Sequence, residues 1–374
     1  MQFDLGGAVH LRLESDDPAL TSAVTRQMNP YEAGGDQTDG PPSVSITLEQ
    51  AGPMRELQYR AGDGLVTGWD GTTLYAVTGG RRASVPDAFR DEPAAVTLEA
   101  GFPIARHFRH VVRTALQLRA LASSTVTVHA AAVDADDGAI LVAGWSESGK
   151  TETALALAED GRRFLSDKWT LVTAGEPRAI GFPINVGVRR WVLPYLPRLR
   201  AALPRRAQLQ VAVAGAAAVV SAPVRGLRGS GPGGGIAASA ERAVALADRA
   251  ALAPSELARA YGHAPILEPR PVRLLVALRS VPGDAVYARE PDLHELATRL
   301  VTTAASERQT YWAYRDRAAY ASARPEDERR QVIVAETGLL RALLDRVPCV
   351  EVEAPFPTDP RRVVAAIEPW LRGK

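Results

Sequence analysis

Alternating hydrophobic and polar residues characterise the first hundred positions of this chain. Val9–Leu13 and Val44–Leu48 both alternate in this way, which is the period of a strand with one buried face. Pairs containing glycine separate further short strands, and Gly34–Pro42 has the polar, Gly/Pro-rich composition of a loop. The pattern predicts a strand-rich N-terminal domain over residues 1–102.

After this region the hydrophobic residues recur at helical rather than strand spacing. Pro103–Ala122 carries apolar residues on one side and arginines on the other, so it predicts a helix. We expect this helix to connect two domains, over residues 103–124.

The remaining chain alternates strand and helix patterns. Ala139–Ala143 is almost wholly apolar, as in a strand buried on both faces. Thr151–Ala158 is rich in helix-forming residues, and Arg162–Asp167 has the pattern of the next strand. Gly226–Gly235 is glycine-rich and predicts a loop. This order of elements predicts an α/β domain over residues 125–374.

Composition narrows the function classes. The chain has 374 residues, of which 46% are hydrophobic, and its 44 Lys plus Arg nearly balance its 43 Asp plus Glu. This balance gives no global attraction to nucleic acid or to acidic membranes. The single cysteine, Cys349, excludes an internal disulfide and a thiolate metal cluster. Since neither a signal-peptide pattern nor an apolar run of roughly 20 residues is present, we expect a soluble cytoplasmic protein.

A glycine-rich loop lies between the apolar strand and the helix of the second domain. The loop and the first helical turn read Gly144, Trp145, Ser146, Glu147, Ser148, Gly149, Lys150, Thr151 and Glu152. They match the full Gly-x-x-x-x-Gly-Lys-Thr pattern, in which backbone N–H groups surround phosphate oxygens. Lys150 would reach the β and γ phosphates, and the Thr151 hydroxyl would bind Mg²⁺. We therefore expect a nucleoside triphosphate with magnesium here, with a plain glycine turn as the alternative.

Asp167 and His129 are the acidic and imidazole candidates near this loop. Magnesium-dependent phosphoryl transfer needs a second acidic ligand, and Asp167 ends the strand after the loop helix. We expect that strand to pair beside the loop strand; the alternative is an aspartate that caps a turn. His129 precedes the loop strand and would emerge at the phosphate end if the two strands are antiparallel; otherwise it is a core histidine. Arg189 could grip a substrate phosphate, although a solvated arginine is the simpler interpretation.

Residues 128–172 resemble HPr kinase/phosphorylase and its related kinases. The matching stretches are Val128-His129-Ala130, the loop itself, its continuation Glu152-Thr153-Ala154-Leu155, and Leu165-Ser166-Asp167-Lys168. The short gap between the loop and the acidic strand is typical of this family and of the phosphoenolpyruvate carboxykinases that share its fold. The first hundred residues show no such match.

The resemblance implies an α/β fold with a mixed sheet, of the type found in the C-terminal domain of that family. It also implies ATP-dependent phosphorylation of a serine or similar hydroxyl. Lys150 and the loop amides would then hold the phosphates, and Thr151 and Asp167 would hold Mg²⁺. His129 would stand near the catalytic carboxylate.

Two residues depart from the family pattern. Glu147 replaces a glycine of the loop, which is compatible with the loop if its backbone angles are ordinary. Lys168 replaces a second aspartate that, in the family, accepts the proton of the attacking hydroxyl or water. A charged lysine cannot accept a proton. Lys168 could instead stabilise the transferring phosphate or pair with a substrate carboxylate, or it could point to solvent.

Three functions fit these observations. The first is an HPr kinase-like phosphotransferase that uses ATP or GTP with Mg²⁺ and phosphorylates a hydroxyl of a small molecule, a peptide or a protein. The second is a nucleotide-binding regulatory or scaffold protein with weak or lost catalysis, and the third is an ATPase or GTPase. The sequence leaves open the acceptor, the nucleobase and the oligomeric state, with a homo-oligomer among the options.

Overall fold

The structure is a computed structural model that describes residues 1–33, 45–51, 55–62, 66–91, 94–210, 249–324 and 327–372. The loops predicted at Gly34–Pro42 and Gly226–Gly235 lie outside these residues. Over the described ranges the fold is mixed α/β, with sheets that contain both parallel and antiparallel pairs.

The strands described in the N-terminal region form one sheet. They are β1 (Gln2–Leu5), β2 (Val9–Glu14), β3 (Ser45–Ala51), β4 (Tyr59–Ala61), β5 (Thr67–Trp69), β6 (Leu74–Thr78), β7 (Arg81–Ser84) and β8 (Ala94–Glu99). Their order is β1-β2-β3-β8-β7-β6-β5-β4. Strands β2, β3 and β8 run parallel, and helix α1 (Pro18–Met28) lies between β2 and β3 in the chain, as a parallel crossover requires. Alternate residues of β2 and β8 are buried, which confirms the predicted strand period.

The connecting segment contains two helices where one was predicted. They are α2 (Ile104–His107) and α3 (Val112–Ala120), and a 3-10 turn, Leu121–Ser123, follows. Phe108 and Val111 lie at the break and are both buried. Tertiary packing of these side chains therefore overrides the helical spacing of the sequence.

The second sheet carries the glycine-rich loop. Its strands are β9 (Thr125–Val128), β10 (Ala130–Asp134), β11 (Ala139–Gly144), β12 (Arg163–Ser166), β13 (Thr170–Thr173), β14 (Arg178–Gly181), β17 (Arg270–Ser280), β18 (Tyr287–Arg289) and β19 (Cys349–Ala354). The order β12-β10-β11-β17 surrounds the loop strand, and β19 also pairs with β17. β11, β17 and β19 are parallel, whereas β10 and β12 are antiparallel to their neighbours. A separate pair consists of β15 (Val186–Arg189) and β16 (Arg249–Leu252).

Helices cover both faces of this second sheet. They are α4 (Lys150–Glu159), α5 (Pro197–Ala202), α6 (Pro254–Ala260), α7 (Leu293–Glu307), α8 (Gln309–Ser322), α9 (Glu328–Leu344) and α10 (Pro360–Leu371). One hydrophobic cluster joins one sheet face to α3, α7, α8, α9 and the N-terminal sheet, and a second joins the other face to α4, α5, α6 and α10. Leu141 belongs to the first cluster and Val142 to the second. The prediction that the loop strand is buried on both faces is therefore confirmed.

In the described part of the chain, no helix combines the length and the apolar character needed to cross a membrane. The domain boundaries at residues 102 and 125 remain a prediction. The first hydrophobic cluster contains residues from both sides of these boundaries.

Candidate functional site

The glycine-rich loop joins the carboxyl end of a buried strand to the amino end of a helix. β11 ends at Gly144, and α4 begins at Lys150. The first N–H groups of a helix have no intrahelical partner, and the helix dipole is positive at this end. The strand, loop and helix that the sequence predicts are thus all present, and together they favour a bound anion such as phosphate.

Glycine is required at the first position of the loop. A Cβ atom on Gly144 would lie 2.6 Å from Ser148 Oγ and 2.7 Å from the carbonyl oxygen of Leu278. Gly149, at the end of the loop, has φ of 94°, in the region that favours glycine. The loop therefore turns too tightly for side chains at these two positions.

Glu147 does not meet the condition of ordinary backbone angles. Its φ is 63°, in the left-handed region that favours glycine. Its Oε1 lies 2.7 Å from Nη2 of Arg189 and 3.4 Å from Nη2 of Arg249. The hydrogen bond from Arg189 is the largest of the effects that hold the pKa of Glu147 below its usual value. These two arginines hold the side chain away from the inside of the loop.

Lys150 is buried and folds back across the loop. Its Nζ donates a 2.6 Å hydrogen bond to the carbonyl oxygen of Trp145, whose own indole is 53% exposed. Burial lowers the pKa of Lys150 to about 8, against the opposing charges of Asp167 and Glu307. The ammonium group therefore lies at the end of the loop formed by Trp145 and Ser146.

The two predicted magnesium ligands are in direct contact. Thr151 Oγ1 donates a 2.7 Å hydrogen bond to Asp167 Oδ1. Burial raises the pKa of Asp167, although the Thr151 hydrogen bond and the charge of Lys150 act in the opposite direction. A hydroxyl and a carboxylate oxygen so close together suit Mg²⁺, which prefers oxygen ligands. Among the described residues, no group of three or more His, Cys, Asp or Glu side chains that could hold a metal ion occurs. Mg²⁺ commonly keeps water and substrate phosphate oxygens as its further ligands.

The strand of Asp167 does not pair beside the loop strand, contrary to our expectation. β12 pairs with β10, and β10 lies between β12 and β11. Asp167 still reaches the loop because it follows the last residue of β12 at the same sheet edge where α4 begins. A local pattern cannot predict this order, since it depends on which strand inserts between two others.

His129 emerges at the loop end of the sheet. β10 is antiparallel to β11 with Ala130 opposite Ala143, so the residue before Ala130 lies beside the start of the loop. The imidazole is buried against the Trp169 ring, with 5.0 Å between centroids. Burial, followed by the charge of Lys150, lowers its pKa to about 3, so the ring is neutral at pH 7. Its Nδ1 has no hydrogen-bond partner among the residues that the structure describes.

Lys168 points toward the site. Its φ is 65°, and its Nζ lies 2.7 Å from Oε2 of Glu307. The carboxylate paired with Lys168 comes from the protein itself. The predicted roles of this lysine toward a transferring phosphate or a substrate carboxylate therefore stay predictions.

Glu307 is the site residue that the sequence patterns did not reveal. It is the last residue of α7, and its Oε1 accepts a 2.7 Å hydrogen bond from Ser146 Oγ. The same oxygen lies 3.8 Å from His129 Nε2. Burial raises the pKa of Glu307, but the hydrogen bond and charge of Lys168 outweigh it, so the net pKa lies below its usual value. No motif marks this glutamate, which is 161 positions from Ser146.

Glu152 and Arg189 form a second charged pair at the loop. Arg189 Nε lies 3.6 Å from Glu152 Oε1, and its guanidinium lies over the Phe356 ring at 5.4 Å. Burial raises the pKa of Glu152. Arg189 is therefore engaged by the loop glutamates, and the solvated arginine expected as the simpler interpretation is not what the structure has.

Comparison of the chain with protein-family models finds no match, and comparison with curated proteins finds none either. The resemblance to HPr kinase therefore stays a prediction from residues 128–172. The geometry of the site carries the functional argument.

Proposed function

We propose that this chain is a kinase that uses ATP or GTP with Mg²⁺ and transfers the γ-phosphoryl group to a hydroxyl of a small molecule, a peptide or a protein. The observation that carries the proposal is the 2.7 Å contact between Thr151 and Asp167 at the amino end of α4, beside the ammonium of Lys150. A fold of the HPr kinase type is part of this proposal, and the mixed parallel and antiparallel sheet that carries the loop supports it.

Each of these groups has a role in phosphoryl transfer. The loop N–H groups and Lys150 would bind the β and γ phosphates, and Thr151 and Asp167 would hold the Mg²⁺. The ion, when bound, neutralises charge on the transferring group. Little else is required of the protein, because phosphoryl transfer depends mainly on positioning and on electrostatic stabilisation.

A regulatory nucleotide-binding protein is the second candidate, and one observation favours it. Lys168 stands where the related kinases have a carboxylate, and it is already paired with Glu307. In that case the loop would bind nucleotide without turnover. A simple ATPase or GTPase is the third candidate.

One assay separates the three functions. The purified chain is incubated with Mg²⁺ and γ-³²P-labelled ATP or GTP, first alone and then with serine- and threonine-containing peptides, proteins and small alcohols. Label on an acceptor supports a kinase, release of label to water alone supports a nucleotide hydrolase, and binding without either supports a regulator.

The variants sharpen the interpretation of this assay. Lys150→Ala is expected to abolish binding under all three hypotheses. Arg372→Ala, which removes an exposed arginine whose ion pair in the described part of the chain is with Glu368, should leave binding unchanged. Lys168→Asp restores a carboxylate beside Asp167. Tight binding with no transfer in both the wild type and Lys168→Asp would refute the kinase proposal.

A further inference from the structure

The carboxylate of Glu307 faces the end of the loop where the γ-phosphate belongs. In loops of this type the lysine reaches the β and γ phosphates, and Lys150 Nζ bonds to the carbonyl oxygen of Trp145. Ser146 is the next residue, and its hydroxyl donates to Glu307 at 2.7 Å. A nucleophile that attacks the γ-phosphorus must approach from this side, because the rest of the nucleotide occupies the other.

The other carboxylates around the loop are already engaged. Asp167 accepts from Thr151 and would hold the metal. Glu147 and Glu152 both pair with Arg189. Glu307 is paired as well, with Lys168 and Ser146, but Ser146 belongs to the end of the loop where the γ-phosphate would lie. Among the described carboxylates at this loop, Glu307 is therefore the one best placed for an incoming hydroxyl.

We propose that Glu307 orients the attacking hydroxyl and receives its proton, and that Lys168 positions Glu307 for this task. This inference rests on the proposed kinase function. The acceptor oxygen forms a bond to the γ-phosphorus, the bond from that phosphorus to the β–γ bridging oxygen breaks, and ADP or GDP leaves with Mg²⁺. The proton of the hydroxyl passes to the Glu307 carboxylate and then to solvent.

Lys168 is a positioning residue in this arrangement. Its ammonium lies 2.7 Å from Glu307 Oε2, whereas Ser146 Oγ binds Oε1. Lys168 therefore holds Oε2, while Ser146 holds Oε1, which also lies 3.8 Å from His129 Nε2. Lys168 also favours the ionised carboxylate, which is the form that accepts a proton. Lys168, which replaces the family's second aspartate, thus holds the carboxylate of Glu307, which comes from α7.

The backbone around Glu307 is anchored firmly enough to hold this geometry. The next residue, Arg308, is buried, and its Nη1 lies 2.5 Å from Glu336 Oε1. Its guanidinium lies 5.4 Å from the centre of the Trp169 ring, and that ring packs on His129. A fixed orientation of this kind is what catalysis by positioning requires.

Glu307→Gln tests the proposal, because it keeps the shape of the side chain and removes its ability to accept a proton. Single-turnover loss of the γ-phosphoryl group from bound MgATP is measured, to water and to any acceptor found in the labelling assay. We expect the rate at saturating MgATP to fall roughly 100-fold. The Kd for MgATP should stay the same or tighten, since a negative charge near the γ-phosphate is removed. Glu307→Asp should recover part of the rate, and Glu368→Gln, a control at an exposed ion pair, should retain it all.

The pH profile separates a proton acceptor from a merely structural residue. The wild-type rate should fall at acidic pH as Glu307 becomes protonated, and Glu307→Gln should lose this dependence. Lys168→Met should move the acidic limb to higher pH, because Lys168 holds the pKa of Glu307 down. A limb that does not move would refute the positioning role of Lys168.

Two results would overturn the assignment of Glu307 while leaving the kinase function intact. In the first, Glu307→Gln has both the wild-type rate and the wild-type Kd for MgATP. In the second, Glu307→Gln binds MgATP more weakly, but its rate at saturating MgATP is unchanged. A wild-type chain that binds MgATP and transfers phosphate to no acceptor would instead refute the proposed function itself.

Discussion

Two non-glycine residues of the site adopt left-handed backbone conformations. Glu147 has φ of 63° and Lys168 has φ of 65°. Such conformations cost on the order of 1 kcal/mol or more each, and they persist where surrounding contacts impose them. The side chain of each residue is held by an ion pair, Glu147 by Arg189 and Lys168 by Glu307. The strain therefore lies at the residues that shape the phosphate end of the loop.

Lys150 is a loop residue whose charge we expect to change just above neutral pH. Burial lowers its pKa to about 8 without nucleotide. Phosphate oxygens favour the charged form, so binding should raise this pKa and take up a proton above pH 8. The γ-phosphate itself titrates near about pH 6 and does not interfere.

We expect MgATP affinity to decline as the pH rises above about 8, by roughly tenfold for each pH unit, because only the charged fraction of Lys150 is competent to bind. Calorimetry from pH 7 to pH 9 in buffers of different ionisation enthalpy would detect both the weaker Kd and the proton uptake. Lys150→Arg is the matched control, since a guanidinium stays charged and its affinity should be independent of pH. A wild-type Kd that is constant over this range would contradict the prediction.

At the scale of elements, the junction of β11, the loop and α4 depends on space as well as on backbone angles. A Cβ atom on Gly144, at the start of the junction, would lie 2.7 Å from the carbonyl oxygen of Leu278. A Cβ atom on Gly161, beyond the end of α4, would meet nothing within 4 Å. Both glycines have positive φ. Alanine at Gly161 therefore has only the conformational cost of a positive φ, whereas alanine at Gly144 has in addition the steric cost of its methyl group.

Gly161→Ala should cost about 1–2 kcal/mol of unfolding free energy, from backbone strain alone. Gly144→Ala should cost a further ~1–3 kcal/mol, because the added methyl group forces the loop away from Leu278. Urea denaturation measures both, and MgATP binding should survive in Gly161→Ala and be lost in Gly144→Ala. Equal stability and equal binding in the two variants would show that crowding at the loop start is unimportant.

Elements with strong local signals were predictable from the sequence. The apolar run of β11, the glycine loop and the helix formers of α4 are contiguous in the chain, so one short window contains the whole phosphate-binding junction. For His129 the sequence left two placements open, and the antiparallel pairing of β10 with β11 decides for the one at the loop end of the sheet.

Features that depend on distant parts of the chain were not predictable. The insertion of β10 between β11 and β12 and the break between α2 and α3 are set by tertiary packing. Glu307 reaches the loop only because α7 ends beside it, and nothing near residue 307 indicates phosphate chemistry. The left-handed φ of Glu147 was missed for a similar reason, since the sequence shows a glutamate while the loop geometry requires a glycine-like turn.

At the scale of the whole molecule, the N-terminal sheet and the loop-bearing sheet share a hydrophobic cluster. Leu11 of β2 and Leu141 of β11 both belong to it. Polar contacts cross the same boundary, since Arg315 of α8 lies 3.2 Å from Asp87 Oδ2 and the Tyr311 hydroxyl donates to the carbonyl oxygen of Pro86 at 2.9 Å. A chain with separate domains would have few such contacts across its boundary.

We therefore expect the two sheets to unfold together, even though the sequence suggests separate regions on either side of residues 103–124. Hydrogen exchange read by mass spectrometry at increasing urea should give the same unfolding free energy for peptides from β2 and from β11. Arg315→Met should lower both values equally, by about 1–3 kcal/mol, because the buried Glu328, whose pKa burial raises to about 8, loses a hydrogen bond and its neighbouring cation. Arg372→Ala, at an exposed ion pair, should change neither by more than about 0.5 kcal/mol. Earlier loss of protection in β2 would show instead that residues 1–102 unfold as a separate domain, and the shared cluster would then not couple the two sheets.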